Sequence, residues 1–304
     1  MFGTLFHLGL NAWWSSRNGE PASERLEWAI KMMRSADVNA EAVDLVKAET
    51  LMAGYTARWG DEPYDTIAVE KQFRVPIVFG EIPRDGLINY DLGGAIDVIA
   101  ARRGYMGVPG CETIHNLEHK TTSQDISSGA DYWRNIVTLD PQVSTYDAAA
   151  RHMGHNIHST IYDVVRKPEI EPLSATPEEK KKYTKPTKAE PVPRLYASMR
   201  ENDETLDEYR ERLTEDIIRR PEWYFQRQEI VRLDRDNDDH ARDVVQTAEM
   251  IRHATERDAW PRSPNACVRF HRLCDYHPVC SGEATIDDGT RYETKAMQHE
   301  ELGQ

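Results

Sequence analysis

The 304-residue sequence predicts an α/β fold in which a mixed β-sheet is flanked by helices. Three observations lead there. Apolar residues recur at helical spacing through residues 3–58. Three β-rich segments follow, separated by Gly and Pro. Helical and strand patterns then alternate before a cysteine-containing segment near the end of the chain.

The elements follow in order. Residues 3–15 carry aromatic and aliphatic side chains on most faces, which predicts a buried helix. "PASERLEWAIKMMRSA" (21–36) opens with Pro, Ser and Glu and continues apolar at helical spacing, a second helix. Residues 38–58 predict a third. Residues 66–79, 90–101 and 113–121 read as successive strands of an antiparallel meander, the last reached through Gly104, Gly107, Pro109 and Gly110. Helices are expected at 129–137 and 140–153, the second opening on Asp140-Pro141 as an Ncap–N1 pair. Residues 155–167 predict a further strand, 203–219 a charged helix, 222–233 a strand and 236–257 a helix. The implied division is a core over 1–166, an exposed charged insertion over 167–194, a helical and strand accessory region over 195–260, and a cysteine-containing segment with a polar tail over 261–304. Trp13, Trp14 and Trp133 read as core or interface aromatics, and Glu70 as an outward-facing strand residue.

Composition narrows the function classes. Hydrophobic residues make up 39% and charged residues 30%, the balance of a globular chain long enough to bury a core without disulfides. A net charge of −14 argues against binding nucleic acid over the whole surface, while leaving room for a local basic groove or an acidic cation site. No run of about 18 apolar residues predicts a membrane span. The N-terminus lacks the basic region and cleavage site of a signal peptide, so the cytoplasm is the expected compartment. Four cysteines do not make a secreted disulfide scaffold. No solenoid repeat and no G-x-x-x-x-G-K-[ST] phosphate loop occur, so any unwinding of a duplex has to come from a partner.

The chemistry centres on three charges. Asp97 lies in "GAIDVI", a carboxylate in an otherwise apolar strand, where burial without a partner is costly. Glu118 and Lys120 share one face of the next strand, because residues i and i+2 point the same way. Asp97 and Glu118 meeting across neighbouring strands would form a hard oxygen site for Mg²⁺ or Mn²⁺, with Lys120 beside it to orient water. The same residues also describe an exposed ion pair. Gln142 and Tyr146 lie at i and i+4 on one helix face. His7 follows Gly3 by four positions and also reads as a buried histidine.

In order, the chain carries G-x-x-x-H (Gly3, His7), G-x-x-D (Gly94, Asp97), E-x-K (Glu118, Lys120) and Q-x-x-x-Y (Gln142, Tyr146). It thereby resembles the PD-(D/E)XK nuclease superfamily in its RecB/AddB-like branch. The trailing cysteines resemble those of the iron–sulfur exonucleases of that branch. The resemblance implies a restriction-endonuclease-like core. It implies that Asp97 and Glu118 ligate a catalytic metal with the main-chain carbonyl of His119, and that His7 is a further ligand. Lys120 would handle the attacking water, while Gln142 and Tyr146 position the DNA strand or the lysine. The implied reaction is phosphodiester hydrolysis leaving a 5′-phosphate and a 3′-hydroxyl. The implied substrate is single-stranded DNA or DNA ends, in recombination, repair or phage DNA metabolism, with a helicase or recombination protein as partner.

Cys267, Cys274 and Cys280 are spaced C-x6-C-x5-C, which suits a [4Fe–4S] cluster or Zn²⁺. The resembled family places a fourth cysteine upstream of Gly3, a segment this sequence lacks. A shortened start or another ligand is therefore expected, with His271 and His277 as candidates and Cys111 outside the pattern. Without that segment, the apolar face of residues 5–14 is expected to lie open. Candidate phosphate contacts are Arg102, Arg103, the lysines at 180–182, 185 and 188, and Arg219, Arg220 and Arg227 near Trp223, Tyr224 and Phe225. Two alternatives to a nuclease remain: a non-catalytic DNA-binding scaffold that keeps the fold, and a zinc-stabilised adaptor.

Overall fold

The computed structural model describes residues 1–16, 19–36, 38–77, 90–104, 111–134, 140–186, 192–269 and 272–293. The chain divides into two compact units, one of Met1–Lys71 with Ala95–Arg232, the other of Gln72–Gly94 with Leu233–Gln304.

Helices α1 (Phe2–Ser15), α2 (Ala22–Ser35) and α3 (Ala42–Trp59) lead into β1 (Tyr64–Pro76), β2 (Asp91–Arg103) and β3 (Glu112–Thr122). Then come α4 (Pro141–His152), β4 (Ile157–Arg166), α5 (Leu206–Arg219), the single turn α6 (Pro221–Tyr224) and β5 (Phe225–Ile230). The five strands form one sheet in the order β1-β2-β3-β4-β5. β2 and β3 run antiparallel, β3 and β4 parallel, and β4 and β5 antiparallel, so the sheet is mixed as the sequence predicts. A parallel pair needs a crossover, and α4 lies in it. The Asp140 side chain accepts the Gln142 N–H at 2.9 Å and Pro141 follows at N1, the expected helix start.

Side-chain alternation divides the sheet into two faces. Val98, Leu117, Ile161, Val165 and Phe225 pack with α1, α3 and α5 into the main core. Tyr162, Val164 and Ile230 pack on the other side with Trp133 and with Val143 of α4. Trp13, Trp14 and Trp133 are buried, and full burial of such a side chain stabilises by roughly 2–3 kcal/mol. The expected open face of residues 5–14 is not found. Leu5, Phe6, Leu10, Trp13 and Trp14 are each at most 2% exposed, in one core with residues of α2 and α3.

Two sequence expectations change near the end of this unit. Residues 222–233 begin with a helical turn, and only Phe225–Ile230 form a strand, which completes the sheet beside β4. Tyr224 and Phe225 are fully buried, so they are core residues and no strand-tracking surface. Among the described residues, the charged segment before α5 has a 3-10 turn at Glu178–Lys180 and an isolated antiparallel bridge between Tyr183 and Leu195. It is tied down by Lys47 to Glu171 at 2.5 Å and by the Leu173 N–H to Glu204 at 2.8 Å; Lys188 lies outside the described residues.

In the second unit, α7 (Asp234–Glu256) packs Val245 and Ala248 against Ile77 and Tyr90. A short hairpin, β6 (Val268–Arg269) with β7 (Arg272–Leu273), is followed by α8 (His277–Ser281). Among the described residues, no helix is long and apolar enough to cross a membrane.

A Cβ on Gly54 of α3 would lie 2.8 Å from Ile217 and 3.0 Å from Phe225, inside van der Waals contact. Gly54→Val is expected to cost roughly 2–3 kcal/mol by overpacking α3 against α5 and β5, read from the guanidinium midpoint. Wild-type stability in that variant would contradict the packing.

Candidate active site

The β2–β3 ladder ends at the pair Val98–Leu117. One step further in the same register come Asp97 and Glu118, and cross-strand partners share a face. The backbone N–H of His119 is donated to Asp97 Oδ2 at 2.8 Å, so a carboxylate takes the donor. Glu118 is 1% exposed; its Oε1 meets the Lys120 ammonium, while its Oε2 is buried without a hydrogen-bond partner. Burial, followed by the charge of Asp97, pushes the Glu118 carboxyl up to about 7 against the pull of Lys120.

Lys120 Nζ also donates to Gln142 Oε1 at 2.8 Å, and Gln142 Nε2 donates to the Tyr146 hydroxyl at 2.8 Å. Glu118, Lys120, Gln142 and Tyr146 thus form one polar line from β3 to α4. Its far end is set by the Asp140 cap, which also accepts the Tyr162 hydroxyl at 3.2 Å. Burial, with Glu118 next in effect, pushes the Tyr146 hydroxyl up to about 12.

Helix α1 reaches the same place through a close approach. A Cβ on Gly3 would sit 3.0 Å from Thr121 Oγ1, so the glycine lets α1 run tight against the end of β3. His7 follows one turn later. Burial, then the charge of His119, lowers its pKa, opposed by Asp97. The other motif glycine, Gly94, faces Phe73, whose ring a Cβ would meet at 2.8 Å.

Glu70 of β1 lies within the electrostatic reach of Asp97. It is exposed, as expected of an outward-facing strand residue, but Asn11 Nδ2 donates to its Oε1 at 2.7 Å and its backbone has a positive φ of 47°. Burial raises its pKa, helped by Asp97 and opposed by the Asn11 hydrogen bond. One signal was available: Asn11 lies four residues after His7, on the same face of α1.

Among the described residues, no group of three or more His, Cys, Asp or Glu side chains is gathered to hold a metal ion. His7, Asp97 and Glu118 are therefore neighbours in charge without closing a three-ligand cage. The donor chemistry still fits a hard divalent cation, since two carboxylates adjoin and one Glu118 oxygen is buried without a partner.

In the second unit, Cys267, Cys274, His277 and Cys280 line one cavity of about 320 Å³, together with Arg262 and Pro264. The Cys274 N–H donates to the Cys267 carbonyl at 2.8 Å across the hairpin. All four cysteines of the chain are free thiols, and His271 lies outside the described residues. Of the expected phosphate contacts, Arg103 pairs with Asp65 at 2.6 Å, Arg220 pairs with Asp216 at 2.7 Å, and Arg227 is buried. The buried guanidinium of Arg227 cannot serve a DNA surface.

A family model of the PD-(D/E)XK nuclease superfamily matches residues 1–281. No curated protein matches the chain.

The raised Glu118 pKa has a sign that can be checked. A folded value of about 7 above an ordinary 4.5 means stability present below pH 4.5 and lost as pH rises through 7. Without divalent cations, wild type should lose roughly 2–3 kcal/mol relative to Glu118→Gln between pH 5 and 9 in chemical denaturation. Parallel stability curves would mean an ordinary carboxylate.

Proposed function

The chain belongs to the PD-(D/E)XK nuclease superfamily, and on that premise we propose that it is a Mg²⁺- or Mn²⁺-dependent deoxyribonuclease. The carrying observation is the adjacency of Asp97 and Glu118 with Lys120 in contact with Glu118. Asp97 and Glu118 would hold the cation, with the His119 carbonyl and His7 as the remaining donors. When bound, such a cation lowers the pKa of water and screens the phosphate charge. Lys120, fixed between Glu118 and Gln142, orients the nucleophilic water and stabilises negative charge developing on the phosphoryl oxygens. Tyr146, its hydroxyl held near pKa 12, stays protonated at neutral pH and can donate to a strand phosphate.

Action on single strands or DNA ends, in recombination, repair or phage DNA metabolism beside a helicase or recombination protein, rests on the RecB/AddB-like order of the four motifs. The cysteine-lined cavity is the proposed seat of a second cofactor, [4Fe–4S] or Zn²⁺, with Cys267, Cys274 and Cys280 as ligands and His277 as the further donor at hand.

Incubation of labelled single- and double-stranded DNA with Mn²⁺ tests the central reading. Wild type should cleave, and Lys120→Ala and Asp97→Ala should be slower by about 100-fold or more. Equal behaviour of all three proteins rejects catalysis, and DNA binding without cleavage would favour the scaffold alternative. Anaerobically purified protein should carry iron with visible absorbance, or about one zinc per chain. Colourless protein free of both metals removes the second cofactor.

A further inference from the structure

A row of buried polar side chains crosses β3, β4 and β5 on the sheet face packed against α1 and α3. His119 stands opposite Asp163, and Asp163 opposite Arg227. Asp163 is 1% exposed and His119 1%. One carboxylate oxygen, Asp163 Oδ2, gathers three neighbours: the Tyr55 hydroxyl donates at 2.7 Å, Arg227 Nη2 donates at 2.9 Å, and His119 Nδ1 lies 3.2 Å away. Arg227 also donates to the Tyr55 oxygen at 2.7 Å and pairs with Glu62, and the Trp14 indole N–H reaches Tyr55 at 3.2 Å. Arg227 and His119 hold the Asp163 carboxyl well below its usual range, overcoming the burial that would raise it.

Stability does not account for this row. A buried ion pair repays its desolvation poorly, and apolar replacements of similar volume often fold as well or better. What distinguishes it is the residue at its end. His119 is the central residue of the E-x-K motif, between Glu118 and Lys120, and its own N–H holds Asp97. The ring lies against Asp163 on one side of the sheet, while the flanking side chains point to the other.

We infer that Asp163, fixed by Arg227 and Tyr55, is a positioning residue that sets the Asp97–Glu118 pair through the His119 ring and its peptide. The inference rests on the nuclease reading and extends it to residues that face away from the acidic pair.

The test measures Mn²⁺ binding without DNA, by the loss of the free-ion signal in electron paramagnetic resonance. It compares wild type with His119→Phe, Asp163→Asn and the double variant Asp163→Leu/Arg227→Leu, which removes both charges together. Each variant should bind Mn²⁺ about 10-fold more weakly, the usual cost of losing a partner behind a metal ligand. The Mn²⁺ concentration for half-maximal cleavage should rise in step, and in the two Asp163 variants kcat at saturating Mn²⁺ should stay within about threefold of wild type. Wild-type Mn²⁺ affinity in variants that fold overturns the inference. So does a melting temperature lowered by more than about 15 °C in every variant, which would assign the row to folding alone. Failure of wild type itself to bind Mn²⁺ would instead reject the nuclease reading.

Discussion

Two carboxylates side by side, one of them sealed from water, are the constraint around which this protein is arranged. In a medium of low polarity their repulsion is strong, and neither can be left alone. Each is met by a group that another element must deliver. Asp97 receives the His119 N–H because the β2–β3 ladder stops one step short of it. Glu118 receives Lys120 because a strand returns to the same face after two residues. Lys120 is held in turn by Gln142, whose helix begins where Asp140 caps it. Strand register, side-chain period and helix cap thus act on one charge balance.

The opposite face of the sheet follows a different rule. Apolar Leu117 and Ile161 are flanked by two polar rows, His119–Asp163–Arg227 and His115–Ser159–Glu229. In the second, His115 Nδ1 lies 2.7 Å from Ser159 Oγ, which donates to Glu229 at 2.7 Å. Burial pushes the His115 ring down to about 4, so it is neutral at ordinary pH. The buried members of these rows favour one strand register, because a slip of one residue would take His115, Ser159 and Asp163 away from their partners.

Much of this was legible in the sequence. The three N-terminal helices, the β2–β3 pair and the Asp140-Pro141 helix start follow from local pattern, while the line from Glu118 to Tyr146 was implied only by the resemblance of the motif order. What local pattern could not reach were the pairings between distant positions. Asp163 and Arg227 each look ordinary in their own strands, and only the β4–β5 register brings them together. Tyr224 and Phe225 fit a surface beside charged Arg219, Arg220 and Glu222 as well as a buried strand, and only the turn before β5 decides it by placing both rings in the core. Glu70 lies in a polar run, and nothing nearby in sequence marks its hydrogen bond to Asn11 on α1. The close approach of Gly3 to Thr121 has the same origin, a contact set by how α1 docks on β3.

The strand order also has a consequence in time. A chain emerging from the ribosome contains Asp97, Glu118 and Lys120 long before β5 has been made. Until Arg227 arrives, Asp163 has no counter-ion, and sealing it beside His119 would carry a heavy desolvation penalty. The centre of the sheet can therefore close over Asp163 without a stranded charge only when β5, the last of its strands in the chain, supplies that arginine.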